Sequence, residues 1–307
     1  MTRPGWLEHP GWPRGEQAIS MRQSKMAALG MAAGAVLLTG GVAWAAGVGY
    51  AEPGQMSFQE AVTPIAAEIH RFHNDVLMPI IVGISVFVLA LLIYVVLRFN
   101  ERVHPVPSKT THNAILEVAW TVVPVLLLVI IAVPSFRLLT SQLVIPKPDI
   151  TIKATGKQWY WSYSYPKDQN GGFEYDSALI PDDQLKAGDI RLLSVDNEAV
   201  VPVGKVVVIQ VTGADVIHSF IVQSLGIRMD AVPGRLNQTW FKADREGIYY
   251  GQCSKLCGKD HAFMPIAVRV VSEPQYEAWL QDAKKKYADA GGSEVRVAAR
   301  EPVTVQR

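Results

Sequence analysis

Two long runs of apolar residues dominate the first half of the chain. One extends from Val76 to Leu97 and the other from Val118 to Phe136, and neither contains a charged side chain. Folded as a helix, each run is long enough to cross a hydrocarbon layer of about 30 Å. The alternative is a pair of buried core helices. It requires a larger surrounding protein, because a helix that is apolar on every face must be packed against other protein on every face. The pattern predicts a transmembrane helical hairpin over residues 76–139.

The charges around these runs predict how the hairpin is oriented. The loop between the runs carries Arg98, Arg102 and Lys109, whereas residues 46–75 contain one arginine and four acidic residues. Short loops rich in lysine and arginine tend to remain in the cytoplasm. We therefore expect a multi-pass protein of a bacterial inner membrane, with residues 46–75 as a periplasmic linker and the second half of the chain in the periplasm.

A shorter apolar stretch precedes the hairpin, at residues 26–42. Arg22 and Lys25 come directly before it, and the tripeptide Ala-Trp-Ala at 43–45 has the small residues of a cleavage site. This arrangement favours a secretory signal peptide, so we interpret residues 1–45 as a leader. A third membrane anchor is the alternative interpretation.

From residue 150 onward the pattern changes to short alternating runs separated by glycine and proline. The runs KVVVIQV, VIHSFIV, NQTWFKA and IAVRVV have the length and β-branched content of strands. They predict an antiparallel β-sandwich over residues 150–275. The segment PQYEAWLQDAKKKYADA is typical of a surface helix, and residues 276–307 are predicted to form a C-terminal helix and a flexible tail.

Aromatic and acidic residues follow the first predicted strand. In QWYWSYSYP, alternation places Trp159, Trp161, Tyr163 and Tyr165 on one strand face, and we expect Trp161 and the two tyrosines to be buried. Residues 166–198 contain eight acidic and three basic side chains. This excess suits either an ordinary solvated face or the steering of a lysine-rich partner.

Both cysteines of the chain fall in one segment, GQCSKLCGKDHAFMP, residues 251–265. Cys253, Cys257, His261 and Met264 are separated by three, three and two residues, so four soft donors could reach one point.

The composition changes this picture little. The 307 residues are 49% hydrophobic with a formal charge of +1, which suits one soluble domain with membrane segments and indicates no nucleic-acid partner.

Three kinds of site compete for this cluster. A disulfide between Cys253 and Cys257 would suit an oxidising compartment. Structural zinc usually has two residues between its cysteines, and it would leave Met264 without a role. A single blue copper ion uses one cysteine, whereas two thiolates could bridge two copper ions. Each ion would then need its own histidine, and His218, in DVIHSF, is the only histidine after residue 150 besides His261.

Six stretches of the chain carry a resemblance to a known family: THNAILEVAWTVVP, GKQWYWSYSYP, VVPVGK, DVIHSF, DAVPGRLNQTW and YYGQCSKLCGKDHAFMPIAV. Over roughly residues 70–280 the chain resembles subunit II of the haem-copper cytochrome c oxidases. The resemblance implies a cupredoxin-like Greek-key sandwich that holds a binuclear copper A centre. The implied ligands are the side chains of His218, Cys253, Cys257, His261 and Met264 and the backbone carbonyl of Lys255.

The resemblance also implies partners and an activity. Electrons would arrive from cytochrome c and pass to a catalytic haem-copper subunit, which reduces dioxygen to water and pumps protons alongside further oxidase subunits. A quinol-oxidase subunit of the same fold would be expected to lack the copper ligands. A membrane-tethered copper-binding or delivery protein is the alternative from another class, and it would need an exposed, exchangeable site.

Further residues gain expected roles from the same resemblance. Trp159 corresponds to the surface tryptophan where electrons arrive, and Glu117 to a glutamate at the mouth of a proton channel. Asp230 and Arg235 correspond to the interface near the haem propionates. Lys255 departs from the family, in which a glutamate carboxylate at this position helps to hold magnesium at the subunit interface. Because an ammonium group has no lone pair to offer a metal, the magnesium site is in doubt here.

Overall fold

A computed structural model describes residues 49–169 and 171–287 of the chain. The predicted leader and the predicted C-terminal tail lie outside these ranges. Within them, the chain forms a pair of long apolar helices followed by a β-sandwich with a helix against it.

The first helical region is continuous from Pro64 to Arg98. It consists of α1 (Pro64–Arg71), one π-helical segment (Phe72–Leu77) and α2 (Met78–Arg98). The second apolar helix is α3 (Ala114–Leu143), which continues through both of its internal prolines. Both regions are long and apolar enough to cross a membrane, as the sequence predicts.

Capping residues determine where the helices begin. The Thr63 hydroxyl accepts a hydrogen bond from the Ala66 amide, and Pro64 occupies the first helical position, which favours a helix start. The Asn113 side chain accepts hydrogen bonds from the first amides of α3. The predicted linker over residues 46–75 is therefore helical from Pro64 onward.

The part of this linker before α1 lies against the sandwich. Val62 is buried in the core. Its amide donates a hydrogen bond to the Ser224 carbonyl (3.0 Å), and its carbonyl accepts one from the Asp244 backbone amide (2.9 Å). The Gly49 carbonyl accepts a hydrogen bond from the Tyr250 amide at 2.7 Å. The described residues of the linker before α1 thus contact the sandwich at both of their ends.

Among the described residues, ten strands form the sandwich: β1 (Ile150–Lys157), β2 (Tyr160–Tyr165), β3 (Phe173–Ser177), β4 (Ala199–Pro202), β5 (Val207–Gly213), β6 (His218–Val222), β7 (Ile227–Ala231), β8 (Asn237–Phe241), β9 (Gly247–Cys253) and β10 (Pro265–Val271). One sheet has the order β3-β2-β1-β5-β8 and the other β4-β10-β9-β6-β7. This arrangement confirms the predicted cupredoxin-like sandwich.

The prediction that the sandwich is antiparallel is wrong for two strand pairs. β1 lies parallel to β5, and β4 lies parallel to β10. Parallel neighbours need a long crossover connection, and in both pairs the chain forms other strands before it returns. Short hydrophobic runs predict that strands exist, but they do not reveal this order.

The aromatic face of β2 is confirmed for Trp161, Tyr163 and Tyr165, which are buried in the core. Trp159 is different, because Lys157 and Tyr160 pair across the β1–β2 hairpin and leave Trp159 in its tight turn. The predicted C-terminal helix is α4 (Glu273–Tyr287), which buries Tyr276, Leu280 and Ala283.

Candidate metal centre

The pairing of three neighbouring strands brings the soft donors together at one end of a sheet. His218 is the first residue of β6, and Cys253 is the last residue of β9, its antiparallel partner. The chain then turns back through His261 and Met264 and enters β10, which pairs with the other edge of β9. The segment from β9 to β10 is called the metal loop below (residues 253–264).

The donor atoms form a connected cluster. The Cys253 and Cys257 sulfurs are 3.9 Å apart, and the His218 Nδ1 lies 4.0 Å from the Cys253 sulfur. The Cys257 sulfur lies 3.5 Å from both the His261 Nδ1 and the Met264 sulfur. Both cysteines are free, because a disulfide would join their sulfurs at about 2.05 Å. The alternative of a Cys253–Cys257 bridge is therefore not the state of this structure.

The donor set fits copper better than structural zinc. His218, Cys253, Cys257 and Met264 are buried, and His261 is half-buried. The Lys255 carbonyl, 3.3 Å from the Cys253 sulfur, adds a sixth donor while its side chain points to solvent. Structural zinc takes four ligands, whereas thiolates with a thioether favour copper among soft-ligand metals.

Asp215 is a residue of the site that the sequence analysis missed. Its Oδ1 lies 2.8 Å from the His218 Nε2 and accepts a hydrogen bond from the Val216 amide, and its Oδ2 accepts one from the Gln158 amide. Because the Asp215 carboxylate holds the Nε2 of His218, the Nδ1 of that ring faces Cys253. An acidic residue three positions before a ligating histidine was the available signal, since ligating histidines usually have such a partner.

The pKa values in the cluster follow from burial and from these hydrogen bonds. Burial raises the pKa of the Cys253 thiol, but hydrogen bonds with His218 and nearby backbone outweigh it and lower the pKa to about 6. Burial and the adjacent Cys253 charge raise the pKa of Cys257 to about 12. Burial lowers the His218 pKa, while its bonds to Cys253 and Asp215 give a net rise. Metal binding would therefore have to displace protons from this site.

Trp159 contacts the metal loop directly. Its indole N–H donates to the Cys257 carbonyl at 3.3 Å, and the Gln158 side-chain amide donates to the same carbonyl at 2.9 Å. The ring is half-buried, with the Lys259 ammonium 5.6 Å from its centroid. One hydrogen bond thus joins a partly exposed aromatic ring to a backbone atom of Cys257, one of the expected ligands.

The remaining predicted site residues lie apart from the cluster or at its edge. Asp230, on β7, accepts a hydrogen bond from Ser219, the neighbour of His218. Arg235 is exposed, and within the described part of the chain no ion pair joins it to Asp230. Glu117 lies in the first turn of α3, where its carboxylate accepts a hydrogen bond from the Asn113 amide at 3.1 Å.

The acidic side chains of residues 166–198 are mostly engaged within the domain. Six of the eight have partners: Glu174 with Ser164, Asp176 with Ser162 and Lys157, Asp182 with Arg191, Asp189 with the Lys186 amide, Asp196 with the Ala178 amide, and Glu198 with Arg269. Three of the six have a basic partner, Lys157, Arg191 or Arg269, and the other three bond neutral groups and keep their negative charge.

Comparison with known proteins gives consistent matches along the chain. Residues 51–138 match the family described as cytochrome c oxidase subunit II, transmembrane domain, and residues 150–271 match the corresponding periplasmic domain. The probable cytochrome c oxidase subunit 2 of Rickettsia bellii is 50% identical over 247 residues, which cover 80% of this chain and 90% of that protein. The cytochrome c oxidase subunit 2 of Cereibacter sphaeroides is 47% identical over 252 residues, or 77% and 83% of the two chains.

A solved structure is also similar. The periplasmic domain of subunit II of cytochrome oxidase from Bradyrhizobium japonicum is 60% identical, with a TM-score of 0.44, and the match covers 47% of this chain and 99% of that one. Since the family matches span both the helical hairpin and the sandwich, this chain belongs to the cytochrome c oxidase subunit II family, the membrane-bound subunit of a haem-copper oxidase that carries a periplasmic domain.

Proposed function

We propose that this chain accepts electrons from cytochrome c at a binuclear copper A centre and passes them to the catalytic haem-copper subunit, which reduces dioxygen to water and pumps protons. The observation that carries the proposal is a pair of buried cysteine sulfurs, 3.9 Å apart, with an inward-facing histidine nitrogen beside each. Family membership supports the same assignment.

Each donor of the cluster has a place in such a centre. Cys253 and Cys257 would bridge two copper ions, and His218 and His261 would each bind one. Met264 and the Lys255 carbonyl would complete the ligand set. When bound, the two copper ions supply one-electron redox chemistry shared between them.

The surrounding residues suit electron transfer better than copper delivery. Burial of the two thiols and the thioether excludes water, and strands β6 and β9 fix the positions of His218 and Cys253. Asp215 holds the His218 ring in one orientation. A delivery protein would instead need ligands that a partner can reach and remove.

Electron paramagnetic resonance of the copper-loaded full-length chain tests the centre itself. One unpaired electron shared between two equivalent copper nuclei gives a hyperfine pattern from both nuclei. We expect that pattern together with two copper ions per chain by elemental analysis. A four-line pattern from a single copper ion would contradict the binuclear centre.

We propose Trp159 as the point where electrons enter. Its hydrogen bond to the Cys257 carbonyl supports this role, because it joins a partly exposed ring to the metal loop. Trp159→Ala should slow reduction of the centre by cytochrome c far more than it weakens binding. Trp161→Phe, a change inside the core near His218, is the matched control for loss of an indole. A normal reduction rate in Trp159→Ala would refute the role.

We further propose that the protein lies in a bacterial inner membrane, with Glu117 at the cytoplasmic mouth of a proton path. Its position in the first turn of a membrane helix supports the idea, since ionisable groups at membrane depth often mark such paths. Glu117→Ala should slow proton-coupled reduction of the catalytic haem while copper A is reduced normally. Glu117→Gln keeps the hydrogen bond to Asn113 and separates proton transfer from helix capping. Unaltered turnover in both variants would leave Glu117 a capping residue only.

Asp230 and Arg235 are proposed to face the catalytic subunit near its haem propionates. The hydrogen bond that Asp230 accepts from Ser219, the neighbour of His218, supports this proposal. Arg235→Gln should slow electron transfer from the copper centre to the haem without changing the copper spectrum. An unchanged transfer rate would argue against this interface.

A further inference from the structure

The inward face of β1 becomes steadily smaller toward the metal end of the sandwich. Alternation along the strand turns Ile152, Ala154 and Gly156 toward the core, and all three are buried. Side-chain size therefore falls from an isoleucine to an alanine and then to a glycine. Strand β1 lies in one sheet, and β6, which begins with His218, lies in the other, so the smallest of these residues stands opposite an expected copper ligand.

Gly156 contacts the His218 side chain across the two sheets. A methyl group built on Gly156 would lie 2.9 Å from the Cγ and the Cδ2 of His218 and 3.0 Å from its Cβ. Non-bonded carbon atoms normally stay about 3.5–4.0 Å apart, so the methyl group would overlap the ring by about 0.6 Å or more. Gly156 does not have a positive φ, so the backbone conformation does not require glycine here. The requirement comes from the ring, which fills the space of the missing side chain.

The other sides of the His218 ring are enclosed as well. Trp161 pairs with Gly156 across the β1–β2 hairpin, and its ring centroid lies 6.1 Å from that of His218. The Asp215 carboxylate holds the Nε2 at 2.8 Å, and the Cys253 sulfur lies 4.0 Å from the Nδ1. A fully buried ring in a close-packed interior cannot shift at one contact without changing the others.

We propose that Gly156 is a positioning residue for the copper centre. The absence of a side chain at this position sets how far the His218 ring extends between the sheets and, through this, where its Nδ1 stands relative to Cys253. This inference rests on the proposed function. A side chain at position 156 would displace His218 but would not touch His261, which belongs to the metal loop, so the two copper ions would have unequal histidine ligands.

Gly156→Ala in the copper-loaded full-length chain tests the proposal. Copper affinity, measured by competition with a chelator, should fall about tenfold, an effect typical of residues that orient metal ligands. In the electron paramagnetic resonance spectrum, the hyperfine couplings to the two copper nuclei should become unequal. Gly156→Val should enlarge both effects, because its side chain is bulkier. Unchanged affinity and couplings in both variants would overturn the proposal.

Ala154→Val is the matched control. It adds bulk to the same face of β1, two positions farther from the metal end. Because added volume strains a packed core, it should lower the midpoint of denaturant unfolding, but it should change the copper affinity less than about twofold and keep the couplings equal. A loss of affinity as large as that of Gly156→Ala would mean that general destabilisation weakens the site, and this would refute the positioning role.

A double-mutant cycle measures the same contact without copper. Gly156→Ala should lower the unfolding midpoint of the copper-free full-length chain, and most of this loss should vanish in the His218→Ala background, where the ring is absent. Where Gly156→Ala alone does not fold, the double variant should regain a cooperative transition. Equal losses in both backgrounds would contradict the contact with the ring. A single-copper spectrum of the unchanged chain would instead refute the proposed function, and the cycle would still show whether Gly156 positions His218.

Discussion

The two ends of the β-sandwich use their residues in opposite ways. At one end, soft donors from β6, β9 and the metal loop face each other across 3.5–4.0 Å with no covalent link. At the other end, rings from β2, β3 and α4 pack together: Tyr165 lies 5.1 Å from Trp279, and Tyr175 stacks on Tyr287 at 4.8 Å. Strand β2 connects the two ends, since Trp161 lies beside His218 and Tyr165 lies beneath α4.

This difference indicates that the two ends of the sandwich have separate roles, one in stability and the other in metal binding. The aromatic end stabilises the fold through packing and through hydrogen bonds of the Tyr165 hydroxyl to the Val200 backbone. The metal end holds the expected ligands at the ends of paired strands and on the metal loop. Loss of a ligand should therefore spare the fold, and loss of an aromatic ring should spare the copper chemistry.

The strongest test of this division removes one bridging sulfur. Cys257→Ser should abolish the two-copper resonance completely, because a hard hydroxyl does not replace a bridging thiolate. The circular dichroism spectrum and the unfolding midpoint of the copper-free chain should remain close to those of the unchanged chain. Ser254→Ala, on the same loop, is the control and should keep the resonance. Unfolding of Cys257→Ser without copper would show that the metal end also maintains the fold.

The reverse test removes an aromatic ring at the far end. Trp279→Ala should lower the free energy of unfolding by about 2–3 kcal/mol, because it leaves a cavity beside partly buried rings. Denaturant unfolding of the copper-free chain measures this loss. The hyperfine pattern of the loaded variant should be unchanged, and Trp279→Phe should recover most of the stability. A broadened copper spectrum in Trp279→Ala would show that the two ends are coupled through β2.

Asp215 gives a finer test within the metal end. Asp215→Asn keeps the size of the side chain but removes the charge that faces the His218 Nε2, so copper affinity should fall about 10- to 100-fold. Competition with a copper chelator measures the change. Asp183→Asn, an exposed carboxylate on the same domain, should have no effect. Equal affinity in Asp215→Asn would show that strand geometry alone orients His218.

The sequence grouped the donor residues well because most of them lie close together in the chain. Cys253, Cys257, His261 and Met264 share one loop, so their spacing alone indicated a common site. His218 followed because it was the only remaining histidine after residue 150. The apolar runs likewise predicted both membrane helices, since hydrophobic length is a local property.

Other features depend on contacts between distant parts of the chain, and local patterns do not encode them. The parallel pairing of β1 with β5 can be predicted only if the path of the chain between these two strands is known. The lysine over Trp159 comes from a loop about a hundred positions later in the sequence. Asp215 was visible in DVIHSF, but the sequence does not show that the chain folds its carboxylate back onto the His218 Nε2.

The smallest expected effect concerns Lys255, at the tip of the metal loop. Only its backbone carbonyl faces the cluster, and its side chain points to solvent. Lys255→Glu should therefore leave the copper resonance unchanged while it adds a carboxylate, the ligand type that hard cations prefer. We expect the variant oxidase to hold a manganese ion more tightly than the unchanged oxidase, by electron paramagnetic resonance after exchange.

Lys255→Gln distinguishes the effect of adding a carboxylate ligand from the effect of removing the ammonium charge. It removes the ammonium without adding a carboxylate, so it should increase manganese binding less than Lys255→Glu does. Equal binding in the two variants would mean that repulsion by the ammonium, and not the missing ligand, decides whether a cation is held. Tight manganese binding in the unchanged oxidase, through ligands of this subunit that do not depend on Lys255, would contradict the inference that lysine removes the site. A changed copper spectrum in either variant would instead show that the Lys255 side chain affects the metal loop. The exposed residues of the metal end, and not only its buried donors, would then influence the copper site.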